Sequence, residues 1–243
     1  MIKTILIFVF IAVSMILLLP FGLIALVFYF LGLRNIMKMA MYKIAQGWGR
    51  AILAISGCKT IVTGRENIPK KNGVCFVSNH SGYFDIVLML AYCGRPVGFV
   101  AKKELALVPF LNAWIFLLGG LFIDRKNPRK ASRTIFKGAN KIKAGGGMII
   151  FPEGHRSKGR GLLPFHPGSL KLATMAEAAI IPVFLEGAYE FYEKNKRVTK
   201  TTFKIAFCKP IDTGSIPSTD RKLILTNRIY DVIKEKMESS VQA

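Results

Sequence analysis

Residues 74–85, Val-Cys-Phe-Val-Ser-Asn-His-Ser-Gly-Tyr-Phe-Asp, decide the fold of this chain. They open with a compact apolar run, Val74–Ser78, which has the length and composition of a buried strand. The run leads directly into Asn79 and His80, and a helical pattern begins at Asp85. His80 is therefore predicted to lie at a strand-to-helix corner.

His80 and Asp85 form a candidate base and its orienting carboxylate. Within one continuous helix, residues five apart point about 140° away from each other. The two side chains can meet if Ser81 and Gly82 form a turn and Asp85 lies in the first helical turn, where the helix dipole favours a carboxylate. A lone histidine is usually a satisfied core residue, but a polar corner with a carboxylate to fix the tautomer favours a general base. The chain has no GxSxG sequence, so the expected nucleophile is a hydroxyl of the substrate.

Outward from this corner, short apolar strands alternate with helical segments. This alternation is typical of an α/β domain with a largely parallel sheet flanked by helices. Reactive loops in such a domain lie at the carboxyl ends of the strands. The predicted strands are 59–62, 74–78, 97–101, 121–123, 148–151, 180–185 and 202–207, and the predicted helices are 85–92, 108–118, 128–144, 170–178 and 221–238.

Two arginines directly follow predicted strands, and this position distinguishes them from the 35 Lys and Arg residues of the chain. Arg125 follows the strand 121–123, and Arg156 belongs to the segment Phe151–Ser157. A planar guanidinium binds phosphate through two hydrogen bonds, which favours a phosphate-bearing substrate. The alternative for any such arginine is a solvated basic face.

Four more residues complete the candidate substrate-binding set: Lys102, Lys103, Glu153 and Gly154. The two lysines follow the strand 97–101 and add charge at the same rim. The glycine allows a backbone to approach a ligand closely. Glu153 and Asp124 are interpreted as ion-pair partners of the two arginines rather than as a second acid/base pair.

The chain is apolar and strongly basic at once. Its 243 residues can bury one substantial core, and they carry a formal net charge of +21 with 51% hydrophobic residues. The apolar content excludes a disordered polycation. No helix-turn-helix, zinc or aromatic RNA-binding pattern occurs, so no nucleic-acid partner is expected. An anionic membrane surface is the favoured partner.

Residues 1–57 are interpreted as membrane-attachment helices and residues 58–243 as the α/β domain. No charged residue occurs from Ile5 to Leu33, which is about 43 Å of helix and exceeds the roughly 30 Å of a bilayer core. Pro20 and Gly22 near its middle predict a kink or a re-entrant hairpin. The excess of Lys and Arg after this run predicts that the following side is cytoplasmic. A cleaved signal peptide would have a shorter apolar region.

The segment 36–55 carries a second apolar pattern, at helical spacing and interleaved with basic residues. Such a helix suits the bilayer interface, and packing against the α/β domain is an equal alternative. The stripe consists of Met37, Met41, Ile44, Trp48, Ile52 and Ile55.

Neither a disulfide nor a metal site is expected. The four cysteines, at positions 58, 75, 93 and 208, show no metal-binding spacing. The three histidines, His80, His155 and His166, form no HExxH pattern.

These motifs resemble the HxxxxD glycerolipid acyltransferase family, and in particular its bacterial 1-acylglycerol-3-phosphate (lysophosphatidic acid) O-acyltransferases. The resemblance spans residues 64–210. Its four blocks are Asn79–Asp85, Lys102–Leu105 with Gly119–Arg125, Phe151–Ser157, and Ile181–Val183. It implies that His80 is the base, that Asp85 orients it, and that the second and third blocks hold a glycerol phosphate.

The resemblance further implies a reaction. An acyl group would pass from an acyl thioester, either acyl-CoA or acyl-carrier protein, to the sn-2 hydroxyl of lysophosphatidic acid, giving phosphatidic acid for phospholipid biosynthesis. No cofactor would be needed, and the N-terminal helices would attach the enzyme to the cytoplasmic face of the bacterial inner membrane.

Three positions depart from the family pattern: Gly82 stands where serine is common, His155 where threonine is usual, and His166 where a basic residue is common. Three alternatives therefore stay open. They are the same chemistry on glycerol-3-phosphate or another lysophospholipid, a non-catalytic lipid-binding membrane protein of the same fold, and a membrane-tethered nucleic-acid binder.

Overall fold

A seven-stranded sheet forms the centre of the computed structural model, which describes residues 1–214 and 221–241. The strand order is β1-β7-β6-β2-β5-β3-β4, and every neighbouring pair is parallel except β6 and β7. The prediction of a largely parallel α/β sheet is confirmed. The strands are β1 (Lys59–Thr63), β2 (Val74–Ser78), β3 (Val97–Lys102), β4 (Leu121–Ile123), β5 (Gly147–Ile150), β6 (Ala179–Glu186) and β7 (Thr202–Phe207).

Eight α-helices, connected by short 3-10 and π-helical turns, accompany the sheet within the described residues. The turns are Arg65–Asn67, Lys103–Leu107, Pro167–Leu170 and the π-helical Tyr189–Glu193. The helices are α1 (Ile2–Leu17), α2 (Leu19–Phe30), α3 (Arg34–Ser56), α4 (Phe84–Tyr92), α5 (Leu111–Leu117), α6 (Pro128–Lys143), α7 (Lys171–Ala176) and α8 (Arg221–Val241).

The central strand β2 is apolar along its whole length because helices cover both faces of the sheet. Val74 and Phe76 point into a core shared with α3 and α4, while Cys75 and Val77 point into a core shared with α6, α7 and α8. All four side chains are fully buried. Because successive side chains of the strand point alternately into two buried layers, the strand reads as a continuous apolar run in the sequence.

Two predicted helices are shorter in the structure than the apolar pattern indicated. The helix expected over 108–118 begins only at Leu111, because Pro109 disfavours a helical conformation of the residue before it, and Val108 is extended with ψ 111°. The helix expected over 170–178 is confined to α7, which ends at Ala176 because the next residue, Glu177, has a left-handed φ of 51°.

The N-terminal region forms a helical hairpin. The stretch Ile2–Phe30, which comprises α1 and α2, is long and apolar enough to cross a membrane. Its helices are interrupted at Leu18, two residues before Pro20, which lacks the N–H of a regular helical bond. The reversal of the chain lies later, at residues 31–33, and α3 then runs back alongside α1, where Trp48 Nε1 donates to Ser14 Oγ at 2.9 Å.

The basic helix α3 packs on the α/β domain through its apolar stripe. Met41 and Ile52 are buried, and Ile55 at the end of the stripe is 46% exposed. At Gly49 a Cβ atom would lie 3.1 Å from the carbonyl oxygen of Val87, so α3 and α4 approach closely. Of the two alternatives for this stripe, packing is therefore what the structure shows. The predicted boundary between membrane-attachment helices (1–57) and the α/β domain (58–243) would cut through this packed core. That boundary stays a prediction.

Candidate active site

His80 and Asp85 meet through the turn that connects β2 to α4. The Nδ1 atom of His80 lies 2.7 Å from Oδ2 of Asp85. The same carboxylate oxygen accepts the backbone N–H groups of Ser81 at 2.6 Å and Gly82 at 2.9 Å. Asp85 is fully buried in the first turn of α4. Three donors therefore fix this carboxylate, and the carboxylate in turn fixes the imidazole ring.

The contact with Asp85 determines the tautomer of His80. An ionised carboxylate can only accept hydrogen bonds, so the proton lies on Nδ1 and the lone pair is on Nε2. Within residues 1–214 and 221–241, Nε2 has no hydrogen-bond partner, and the histidine side chain is 17% exposed. The arrangement leaves one ring nitrogen able to accept a proton from a bound molecule.

The segment after β5 encloses His80 on the other side. The ring of Phe151 stacks on the imidazole, with centroids 4.1 Å apart and planes inclined by 22°. Oε1 of Glu153 accepts the backbone N–H of His80 at 2.8 Å, and the N–H of Ser157 donates to the His80 carbonyl at 2.7 Å. The first and third motifs therefore form one unit, because β2 and β5 are neighbouring parallel strands.

Asn79 holds the corner from the opposite neighbour, β6. Its side-chain amide donates to the carbonyl of Leu185, and its carbonyl accepts the N–H of the same residue, both at 2.8 Å. The Asn79 side chain thus continues the hydrogen bonding between β2 and β6 by one residue beyond Ser78, where β2 ends. This role of Asn79 is not among the predictions made from the sequence, although an amide directly after a buried strand is a signal for it.

Glu153 is buried and serves the backbone of the site. Only 1% of it is exposed, and its second oxygen accepts the N–H of Leu163 at 3.4 Å. Burial, reinforced by the nearby charge of Asp85, raises the pKa of this carboxyl to about 7, although the hydrogen bonds from His80 and Leu163 lower it. The interpretation of Glu153 as an ion-pair partner of an arginine is wrong, because its oxygens face backbone N–H groups.

Asp124 likewise pairs with a residue other than the predicted arginines. Its Oδ2 atom lies 2.9 Å from Nζ of the exposed Lys103. Lys102 is also exposed at the end of β3. Because β3 and β4 are paired, the two lysines and Asp124 lie at one corner of the sheet.

The two candidate phosphate-binding arginines have different partners. Nη1 of Arg125 donates to the carbonyl of Gly154. Gly154 has a left-handed φ of 76°, and a Cβ atom there would lie 2.9 Å from that nitrogen, so this close approach requires glycine. Arg156 forms an ion pair with Glu193 and lies over the ring of Tyr83, with its guanidinium carbon 3.6 Å from the centroid.

The structure brings the predicted site residues to one edge of the sheet. His80 follows β2, Glu153 follows β5, Lys103 follows β3 and Arg125 follows β4, and these four strands are adjacent and parallel. Their carboxyl ends therefore form a continuous rim. Glu193 also reaches this rim, from the π-helical turn after β6, and no motif around it in the sequence predicts that position.

Two cavities flank this rim. A wholly apolar cavity of about 100 Å³ lies between the N-terminal helices and α4 and α5, and its walls include Met15, Ile44, Trp48, Ile86 and Trp114. Ile86 and Leu90, one helical turn apart on α4, both line this cavity, so it runs along one face of the helix that carries Asp85. A second cavity of about 320 Å³ lies beside Phe151 and is bordered by Arg125, Gly154 and His166. The rim thus offers an apolar space on one side and a mixed, cationic one on the other.

Comparison with known proteins places these features in one family. A family model described as Acyltransferase matches residues 59–186. A 1-acyl-sn-glycerol-3-phosphate acyltransferase of Borreliella burgdorferi is 32% identical over 187 residues, which are 77% of this chain and 75% of that protein. A probable 1-acyl-sn-glycerol-3-phosphate acyltransferase of Mycoplasma genitalium is 32% identical over 212 residues, or 82% of this chain and 76% of that protein.

A solved structure agrees over the whole chain. The crystal structure of the 1-acyl-sn-glycerophosphate (LPA) acyltransferase PlsC from Thermotoga maritima matches with a TM-score of 0.83 and 26% sequence identity. The match covers 100% of this chain and 98% of that chain, so it includes the N-terminal hairpin as well as the sheet.

Proposed function

The chain belongs to the acyltransferase family, and on this basis we propose that it transfers a fatty acyl group from a thioester to the sn-2 hydroxyl of lysophosphatidic acid, forming phosphatidic acid. Its relatives in Borreliella burgdorferi and Mycoplasma genitalium, named as 1-acyl-sn-glycerol-3-phosphate acyltransferases, support this acceptor. The observation that carries the proposal is the His80–Asp85 pair on a rim that also carries arginines and lysines, with no described residue hydrogen-bonded to Nε2 of the histidine.

In the proposed reaction His80 acts as a general base. Its Nε2 atom takes the proton of the acceptor hydroxyl while the oxygen attacks the thioester carbonyl carbon. The tetrahedral intermediate collapses with cleavage of the C–S bond, and the imidazolium returns its proton to the departing sulfur, which leaves as a free thiol. Asp85 stabilises the imidazolium between these two steps, in the manner of other histidine–carboxylate pairs.

The cationic side chains of the rim are proposed to hold the acceptor phosphate. Arg125 and Arg156 lie on the loops after β4 and β5, and Lys102 and Lys103 lie at the end of β3. Planar guanidinium groups bind phosphate through paired hydrogen bonds, and lysines add charge at longer range. We assign Glu153 and Gly154 to the same site through backbone contacts, since one supports His80 and the other accepts from Arg125.

The apolar cavity beside Ile86 suits an acyl chain. All its lining residues are apolar, and two of them, Ile86 and Leu90, lie on α4, the helix that carries Asp85. A hydrocarbon chain gains about 0.8 kcal/mol for each buried CH₂ group, so an apolar cavity along the helix that carries Asp85 favours a lipid substrate over a water-soluble alcohol. The donor is proposed to be acyl-CoA or acyl-carrier protein.

The helical hairpin is proposed to attach the enzyme to a bilayer at its cytoplasmic face. Large apolar side chains cluster at the exposed end of the hairpin, where Phe30 is 82% and Leu31 67% exposed. Lys and Arg number 35 against 14 Asp and Glu, and basic surfaces gain about 1 kcal/mol per Lys or Arg near anionic lipid. A membrane location would also bring the site to a substrate that is itself a lipid.

The experiment that tests the proposal is acyl transfer by the purified full-length protein in detergent or vesicles. Labelled oleoyl-CoA and oleoyl-acyl-carrier protein serve as donors, and lysophosphatidic acid, glycerol-3-phosphate and lysophosphatidylcholine as acceptors. Phosphatidic acid formed by the wild type and not by a His80→Ala variant is the expected result. Transfer only to another acceptor would overturn the proposed substrate, and no transfer to any of them would overturn the proposed activity.

A further inference from the structure

The carboxylate of Glu193 joins two parts of the site that the sequence keeps far apart. Glu193 ends the π-helical turn after β6, and its side chain is 10% exposed. Oε1 pairs with Nη1 of Arg156, and Oε2 accepts the backbone N–H of Tyr83 at 2.9 Å. Since Tyr83 precedes α4 and Arg156 follows β5, one carboxylate ties the turn after His80 to the candidate phosphate-binding loop.

This contact holds the guanidinium of Arg156 in a defined plane. The group lies over the ring of Tyr83, with the guanidinium carbon 3.6 Å from the centroid, and its Nη1 is paired with Glu193. Within residues 1–214 and 221–241, no hydrogen-bond partner contacts its other nitrogens. The stacking on Tyr83 and the ion pair at Nη1 fix the orientation of the guanidinium. Its other N–H groups can then donate two parallel hydrogen bonds to a phosphate.

The backbone leaves room for this carboxylate at Gly82. A Cβ atom at Gly82 would lie 2.5 Å from Oε2 of Glu193 and 2.8 Å from the backbone nitrogen of Tyr189. The same Cβ would lie 2.8 Å from the backbone carbonyl carbon of Ala188, and main-chain atoms cannot rotate away as a carboxylate can. The close approach of the turn that carries Glu193 therefore requires glycine at position 82. Gly82, two residues after His80 and one of the three departures from the family pattern, is thereby explained by the close approach of the turn after β6.

We propose that Glu193 is a positioning residue that holds Arg156 for the phosphate of the acceptor. The inference rests on the proposed function, because it needs an acceptor that carries phosphate. Glu193 does not contact the reacting atoms in this assignment and acts through Arg156. Its loss therefore weakens acceptor binding and leaves the chemistry at His80 in place.

The test compares steady-state kinetics of the wild type, Glu193→Ala, Glu193→Gln, Arg156→Ala and the double variant in vesicles, with lysophosphatidic acid as the varied substrate. We expect Glu193→Ala to raise the KM for lysophosphatidic acid by about 10-fold with kcat within about twofold. Glu193→Gln, which keeps hydrogen-bonding groups at the same place, is expected to recover part of that loss. The double variant is expected to be no worse than Arg156→Ala, because both changes remove the same interaction.

The matched control is Glu190→Ala, which removes another carboxylate from the same π-helical turn, and thermal unfolding of each variant shows whether it folds. If Glu193→Ala does not fold, the same criteria apply to Glu193→Gln. An unchanged KM in a folded Glu193→Ala, or in Glu193→Gln where the alanine variant does not fold, would overturn the inference. Effects of Glu193→Ala and Arg156→Ala that multiply in the double variant would overturn it as well. Absence of phosphatidic acid formation by the wild type would instead overturn the proposed function.

Discussion

The backbone N–H of His80 donates a 2.8 Å hydrogen bond to the buried carboxyl of Glu153. The two residues are 73 positions apart in the chain and come together because β2 and β5 are parallel neighbours. The bond fixes the main chain of His80, while Asp85 fixes its ring. The histidine is therefore held at two independent points before any substrate binds.

The burial of Glu153 predicts a pH dependence of stability. Its pKa rises from 4.5 in the unfolded chain to about 7 in the folded protein, so the folded state binds the proton more tightly. The stabilisation is complete below pH 4.5 and is lost as the pH rises to about 7. We expect Glu153→Gln to remove this dependence, so that the variant gains stability relative to the wild type between about pH 5 and 8.

Urea unfolding of both proteins at a series of pH values measures that difference. Glu104→Gln, an exposed carboxylate after β3, serves as the control for the loss of one charge. A stability difference between Glu153→Gln and the wild type that stays constant with pH would contradict the assignment.

Replacement of His80 should separate chemistry from membrane attachment. His80→Ala removes the ring nitrogen that accepts the proton, and a general base contributes about 10²–10⁴ in rate, so kcat should fall by at least 10²-fold. Asp85→Asn should cause a smaller fall, because the ring loses its carboxylate partner but remains in the site. Vesicle flotation should be the same for all three proteins, and turnover of His80→Ala at the wild-type rate would refute the proposed mechanism.

The geometry of Arg156 predicts that lysine cannot replace it. Arg156→Lys keeps the charge but loses the planar group that stacks on Tyr83 and pairs with Glu193. We expect the KM for lysophosphatidic acid to rise by about 10-fold, with little change in kcat. The matched control is Arg129→Lys on the exposed side of α6. Equal KM values for the two variants would show that Arg156 does not bind the acceptor phosphate.

The apolar cavity predicts the effect of filling it on donor choice. Ala45 is 4% exposed and lines the cavity on α3, so Ala45→Leu shortens the space next to Ile86. We expect the preferred acyl-CoA to shift toward shorter chains, at a stability cost of about 1–3 kcal/mol for overpacking. Ala54→Leu on the exposed side of the same helix is the control. If Ala45→Leu has the same acyl chain-length preference as the wild type, the cavity does not bind the acyl chain.

The tip of the N-terminal hairpin predicts where the protein meets lipid. Phe30 and Leu31 are 82% and 67% exposed, so replacing both by Glu changes no buried contact. We expect the double variant to bind vesicles of phosphatidylcholine and phosphatidylglycerol at least 10-fold more weakly. Leu223→Glu on α8, where the residue is 53% exposed, tests whether any apolar-to-acidic change has this effect. Equal binding by the tip variant and the wild type would exclude the hairpin tip as the attachment point.

Much of the architecture could be predicted from the sequence because it depends on local patterns. Every predicted strand overlaps an observed one, since short apolar runs between turn residues favour strands wherever helices cover both faces. The errors lie where a single residue overrides the pattern, as Pro109 does at the start of α5. Of the two alternatives at Pro20, the interruption of the helix is found, at Leu18, whereas the chain reverses later, at residues 31–33.

In the candidate site, too, local contacts were predictable from the sequence and long-range contacts were not. The His80–Asp85 contact spans six residues, and the turn and first helical residues between them limit it to few geometries, so the sequence by itself determined it. The partners of Glu153, Asp124 and Arg156 were assigned wrongly by sequence, because several carboxylates and arginines were available and only the strand order selects among them. Glu193 reaches Arg156 from 37 positions away, after β6, through a gap that Gly82 leaves open. A pairing of this kind depends on where distant segments pack, and only the tertiary structure decided it.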